Sequence, residues 1–257
     1  MRLTIVVSGF FFGFQTGDDS VTNRFVDDRS FDELRTGFTA AVSHELRTPL
    51  ARIMALLDSA DLPGADVHAL LDQARAEVEN AGELIDEILF LSELESGKEV
   101  VSLGRTNAIP VLEHVARELE GAASRAGVEL VVEGDVDVDV PLRPRMLRMI
   151  AENLTENALR YAGHGSRFTL SVSQEGDNAV ITASDDGAGV DAETLDRLFE
   201  RFYRGDAART TRGTGLGLAI VKHVVAAAGG DVEASGEAGH GLEVRCSFPA
   251  QLRTRGA

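Results

Sequence analysis

Cysteine occurs once in the 257 residues, as Cys246. That excludes an intramolecular disulfide and a zinc cluster, and it fits a reducing compartment. Cations are scarce: 25 Lys and Arg stand against 42 Asp and Glu, a formal net charge of -17. Nonspecific DNA and anionic membrane surfaces attract basic proteins, so neither is expected as a partner. A polyanionic ligand such as a nucleotide is compatible with this balance where local cations, helix N-termini or a metal offset the overall sign. Long apolar runs are missing as well. The stretch from Leu3 to Phe14 is apolar but only 12 residues long, with two glycines among them. A membrane-spanning helix needs about 20 apolar residues. No small-residue cleavage site clearly follows, so the stretch is read as a structural segment rather than an anchor or signal peptide. There is no internal repeat and no GxxxxGK[ST] phosphate loop, and Thr48 stands where an HExxH zinc motif needs histidine.

What is present is enough chain for one large or two small domains, with ordinary apolar and charged fractions. Residues 15–30 are polar and turn-rich and read as a linker. From Phe31 to Leu57, apolar residues recur at three- and four-residue steps, the signal of an amphipathic helix with a narrow seam. Pro63 and Gly64 break the pattern, and a second helical run with Leu71, Ala74, Val78, Ala81, Ile85 and Ile88 follows, flanked by Leu84, Leu91 and Leu94 and with Gly97 as its stop. Two long helices joined by a short loop make an antiparallel hairpin. One hairpin cannot cover its own stripe, so two copies forming a four-helix bundle are expected, as a homodimer. The alternative is that the stripe packs on the rest of the same chain.

Beyond the linker "KEVVSLGRT" the pattern mixes. Helices are expected at 108–125, 144–162, 192–202 and 216–229, and strands at "VELVVE", "FTLSVS", "AVITASD", "DVEASG" and "LEVRCSF". Without strict alternation this predicts an α+β chain whose second domain is a two-layer sandwich with a mixed or antiparallel sheet.

Three stretches carry candidate chemistry. In "SHELRTPL", helical phase puts His44 and Thr48 on one side, away from the seam, with Glu45 beside the histidine. An exposed neutral imidazole is a nucleophile, and an adjacent carboxylate can take its proton. Pro49 removes the backbone bond to the Glu45 carbonyl, beside that histidine. The plainer reading is a surface histidine and a tolerated kink. In "NLTENALRYA", Asn153, Asn157 and Tyr161 share one helix face, flanked by Glu152 and Arg160, and amide oxygens suit Mg²⁺. The third comprises two glycine turns. "SDDGAGVD" offers Asp185 at a strand end with Gly187 and Gly189, and "RGTGLGLAIVKH" opens a helix with Gly213, Thr214, Gly215, Leu216 and Gly217. A glycine-rich loop at a helix N-terminus cradles phosphates. Between these turns, Arg201, Arg204, Arg209 and Arg212 concentrate positive charge in what reads as a flap over the ligand.

In order, these stretches resemble the five sequence boxes of the sensor histidine kinases of two-component signalling, over roughly residues 30–250. "SHELRTPL" is similar to the phosphoacceptor box, "NLTENALRYA" to the asparagine box, "DDGAGV" and "GTGLGLAIVKH" to the two glycine boxes, and "LFERFYR" to the phenylalanine box. The resemblance implies a dimerisation and phosphotransfer hairpin over 30–98, a Bergerat-type ATP-binding sandwich over 104–251, an unassigned segment 1–29 and a tail 252–257. It implies that His44 takes the γ-phosphoryl group of ATP, that Glu45 is the base, and that Thr48 positions water for dephosphorylating a partner. Asn157 would bind Mg²⁺ with support from Asn153. Arg160 would neutralise phosphate, Tyr161 and Asp185 would meet adenine beside Gly187 and Gly189, and Gly213–Gly217 would hold the phosphates. The expected partner is the receiver domain of a response regulator, and the expected location of this core is cytoplasmic, any membrane link lying in an upstream region. Two other classes stay open. One is a dimeric scaffold that binds nucleotide without transfer. The other is a gyrase- or chaperone-type ATPase, which needs no acceptor histidine.

Overall fold

The computed structural model describes residues 28–95, 104–205 and 213–249, with side chains described from residue 42 in the first helix and through residue 92 in the second. The N-terminal apolar stretch, the polar linker up to residue 27, the stop at Gly97, most of "KEVVSLGRT", Arg209, Arg212 and the tail lie outside the described residues.

Helix α1, Asp28–Ala60, runs unbroken through Pro49. A turn at 61–64, tied by Leu62 N–H to Ser59 O, reverses the chain into α2, Val67–Glu95. Asp66 supplies the cap, its Oδ1 accepting from Ala69 N–H at 3.2 Å. The expected stripe divides in two. Val42, Leu46, Ile53 and Leu56 of α1 are half-buried, whereas Leu50, Met54 and Leu57, one step round the helix, face solvent. On α2, Leu71, Val78, Ile85 and Leu89 are also exposed. Leu84, Phe90 and Leu91 are instead buried in the core of the following domain, with Ile88 packed against it. Leu84 and Leu91, expected to flank the seam, are therefore among the residues that dock. One side of the stripe packs on the same chain, and the other is left apolar and open.

The second domain begins with strand β1, Thr106–Asn107, and continues through α3, Ala108–Ala126; β2, Glu129–Gly134; β3, Asp139–Val140; α4, Pro144–Tyr161; β4, Arg167–Glu175; β5, Asn178–Asp185; α5, Ala192–Arg197; α6, Gly217–Ala227; β6, Asp231–Gly236; and β7, Leu242–Pro249. The main sheet has the order β2-β4-β5-β7-β6. β2 and β4 are parallel and the other pairs antiparallel, the mixed sheet that the pattern predicts. β1 and β3 form a separate two-stranded ladder too short to leave a periodic signal. Period-two alternation decides the layering: Leu242, Val244, Cys246 and Phe248 of β7 are buried, and the residues between them are not. α3, α4 and α6 supply the other layer. Leu147, Ile150, Ala151, Leu154 and Ala158 form the buried face of α4, at helical spacing. Pro144 opens that helix where its missing N–H is harmless. Burial pushes the Cys246 thiol up to about 12, so it is an inert core residue.

α5 is shorter than the helix expected over 192–202. Asp191 caps it, accepting from Thr194 N–H at 2.7 Å, but it ends at Arg197. Tertiary bonding takes over beyond that point: Phe202 N–H donates to Gly215 O at 2.9 Å and its backbone turns left-handed, φ 60°.

Candidate functional site

The predicted residues fall into two groups. On α1, the His44 side chain is 75% exposed and Glu45 29%, and Nδ1 lies 3.3 Å from Glu45 Oε1. The tautomer that donates Nδ1–H to this carboxylate leaves the Nε2 lone pair facing solvent. Thr48, one turn on, donates its hydroxyl to His44 O at 3.3 Å. Pro49 follows, so the Glu45 carbonyl has no helical N–H partner at i+4. Here α1 bounds a shallow hollow of about 460 Å³ lined by His44, Arg47, Thr48, Ala51, Arg52 and Ala55. Arg52 pairs with Glu77 of α2 at 3.7 Å.

The other group is assembled by α4, the end of β5 and the start of α6. The buried face of α4 packs into the core, which leaves Asn153, Asn157 and Tyr161 half-buried along its rim. Asn153 donates its amide N–H to Met149 O at 2.8 Å, which turns Oδ1 toward the first residue of α6. A Cβ built on Gly217 would sit 2.5 Å from that oxygen, so glycine there lets the Asn153 amide lie against the start of α6. Arg160 Nη1 and Tyr161 OH border Gly213 in the same way, at 2.8 and 3.5 Å from its would-be Cβ. Gly215 is left-handed, φ 70°, and its carbonyl receives Phe202 N–H. Thr214 Oγ1 accepts from Leu216 N–H at 3.2 Å. Leu216 itself is fully buried and pins the loop to the core.

Asp185 closes the opposite wall. Its Oδ1 accepts from Gly187 N–H at 2.9 Å, and the Leu242 backbone donates to the same side chain. Partial burial holds its pKa above the usual aspartate range, with those two bonds opposing. Gly187 and Gly189 are squeezed from both sides: Ala188 N–H donates to Ala162 O at 2.9 Å, and Gly239 N–H donates to Ala188 O at 2.7 Å. The β6–β7 turn thus forms part of this wall, a contribution that sequence reading missed. "GEAGHG" reads as an ordinary turn until topology places it there.

His223 was missed too. Its ring lies 2.8 Å from Ala219 O through Nδ1 and 3.1 Å from Arg201 Nη2 through Nε2. Arg201 and Arg204 belong to the segment read as a flap, and Arg209 and Arg212 lie outside the described residues. Glu87 of α2 is a third omission. The Thr214 hydroxyl hydrogen-bonds its carboxylate, so the hairpin reaches the glycine loop.

The donor set fits a nucleotide better than a protein-only metal cage. Among the described residues, no group of three or more His, Cys, Asp or Glu is placed to hold a metal ion. Asn153 and Asn157 offer neutral amide oxygens, and the glycine loop offers backbone N–H at a helix start. An ion such as Mg²⁺, which keeps waters and takes phosphate oxygens, suits that surrounding.

Residues 34–97 match the family described as "His Kinase A (phospho-acceptor) domain", and residues 143–252 match the "Histidine kinase-, DNA gyrase B-, and HSP90-like ATPase" family. The sensor-like histidine kinase SenX3 of Mycobacterium tuberculosis is 33% identical over 238 residues, which is 89% of this chain and 58% of the relative. The chain therefore spans little more than half the length of this curated relative. Among solved structures, full-length ShkA in complex with AMPPNP superposes with a TM-score of 0.61 at 28% identity, over 82% of this chain and 45% of that one. Histidine kinase ThkA, in complex with the response regulator protein TrrA, shares the fold with a TM-score of 0.70 at 18% identity, over 92% and 70% of the two chains. No helix among the described residues is long and apolar enough to cross a membrane.

Proposed function

The chain belongs to the histidine kinases, with a phosphoacceptor hairpin followed by an ATPase domain of the gyrase and HSP90 type, and on that premise we propose that it phosphorylates itself on His44 with ATP. The observation that carries this reading is the 3.3 Å pairing of the exposed His44 imidazole with Glu45. Nε2 attacks the γ-phosphorus and the bond to the leaving ADP oxygen breaks, while the Nδ1 proton passes to Glu45. The phosphoryl group then moves to a receiver aspartate. Positioning and charge neutralisation supply most of such a barrier reduction.

The nucleotide would lie between the two walls described above. Asp185, with Tyr161 nearby, accepts the adenine amine beside Gly187 and Gly189. Gly213, Thr214, Gly215, Leu216 and Gly217 hold phosphate oxygens through the backbone, and Arg160 offsets their charge. Asn157 and Asn153 would hold Mg²⁺, which when bound neutralises phosphate charge. That ShkA, which shares the fold, was solved in complex with AMPPNP supports nucleotide binding.

The partner would be a response regulator, as for ThkA. Arg47 and Arg52, which line the hollow with His44, suit the acidic pocket around a receiver aspartate, and Thr48 would orient water for dephosphorylation. The exposed apolar residues Leu50, Met54, Leu57, Val78, Ile85 and Leu89 suit a second copy of the hairpin in a four-helix bundle. In this reading the core works in the cytoplasm.

Incubation with γ-labelled ATP and Mg²⁺ tests the proposal. Acid-labile, base-stable label on the wild type, absent from His44→Ala and Asn157→Ala, is the expected result. Label retained on His44→Ala would sink it, and nucleotide binding without label would favour the noncatalytic scaffold.

A further inference from the structure

α2 touches the ATPase domain with two kinds of side chain on one stripe. Leu84, Ile88 and Leu91 pack into or against its core, and Glu87 sits among them at the same helical spacing. Its neighbours are polar and specific. One carboxylate oxygen takes the Thr214 hydroxyl, Arg160 lies near enough to attract it, and Oε2 is buried with no hydrogen-bond partner. Thr214 belongs to the glycine loop, and Arg160 Nη1 lies against Gly213 of the same loop. A hairpin anion thus rests on donors that face the phosphate region.

The surroundings make this a poor home for a carboxylate in its own right. Burial raises its pKa, Glu156 of α4 and Glu83 of α2 raise it further by repulsion, and Thr214 and Arg160 oppose. Arg160 is the cation that attracts both Glu87 and Glu156. A half-buried carboxylate with one unsatisfied oxygen and one cation shared with Glu156 is incompletely compensated. The arrangement matches a site that a stronger anion fills at other times.

We propose that Glu87 is a latch that docks the hairpin onto the glycine loop and competes with the phosphates of the nucleotide for Thr214 and Arg160. This inference rests on the nucleotide reading of that loop. Binding of the triphosphate would displace Glu87 and weaken the contact of α2 with α6. The hairpin that carries His44 would then be free to move only when phosphate is present.

The test is calorimetric titration of the whole chain with adenosine, ADP and ATP, in the wild type and in Glu87→Gln, a variant that keeps size and lone pairs but removes the charge. The expected result is ATP binding tightened about tenfold or more in Glu87→Gln, ADP less so, and adenosine unchanged. Equal tightening of adenosine and ATP would mean that the substitution merely loosens packing, and would overturn the latch. Unchanged or weaker ATP binding in Glu87→Gln, with wild-type binding intact, would overturn the latch alone. No ATP binding by either protein would overturn the nucleotide reading and the latch with it.

Discussion

Arg201 and His223 are joined across 3.1 Å, and the same imidazole is anchored to Ala219 O at 2.8 Å through its other nitrogen. The ring donates Nδ1–H to the carbonyl and accepts from the guanidinium at Nε2, so it serves only when neutral. Burial lowers its pKa, and the charges of Arg201 and Lys222 act in the same direction. The folded value is therefore below the unfolded one. As pH falls through about 6.5 the unfolded chain takes the proton first, and stability is lost until the lower folded value is passed. Thermal unfolding of wild type and His223→Gln should differ by a constant amount above about pH 7.5, and that gap should shrink below about pH 6.5. A gap that stays flat down to pH 5 would exclude this role.

Glu45→Gln should leave His44 in place and remove its proton acceptor. The rate of label incorporation is expected to fall on the order of a hundredfold or more, with ATP affinity unchanged. A drop in affinity instead would place Glu45 in binding rather than in proton transfer.

Pro49→Ala restores an N–H that can reach the Glu45 carbonyl. The hairpin should gain up to about 3 kcal/mol in unfolding experiments. A stiffer helix beside His44 should also change the ratio of autophosphorylation to regulator dephosphorylation. If both rates match the wild type, the proline has no part in catalysis.

Gly217→Ala puts a methyl group 2.5 Å from Asn153 Oδ1. The side chain must turn away or α6 must shift. Nucleotide binding should weaken at least tenfold while the melting temperature changes little, and titration with ATP measures it. Wild-type affinity would show that Asn153 has no hold on the ligand.

The triple substitution of Leu50, Met54 and Leu57 by glutamate targets the open apolar stripe of α1. Light scattering should report a dimer for the wild type and a monomer for the variant. A wild-type monomer at micromolar concentration would refute the bundle.

Much of this was legible in the sequence because periodicity is a local signal. "DVEASG" marks β6 to the residue, and the α4 pattern marks both its core face and its asparagine rim. Contacts made at long range left no such trace. α5 ends early because Phe202 bonds to Gly215, a partner 13 positions away whose nearness only the folded loop reveals. The roles of His223, Glu87 and the β6–β7 turn are of the same kind. Leu84 and Leu91 were placed at the flank of the seam because spacing reports that a helix has a stripe, but not which of two neighbouring surfaces covers it.

Phe202 holds a left-handed backbone, φ 60°, that a residue with a Cβ adopts at about 1–2 kcal/mol above its relaxed form. That excess is roughly a tenfold bias in population against the conformation. The bias runs opposite to the hydrogen bond from Phe202 N–H to Gly215 O. At Phe202 the loss of that bond is therefore partly self-compensating, because the backbone relaxes as it goes. Glycine at this position would relieve that backbone bias, and would also remove the ring that packs Phe202 against the core.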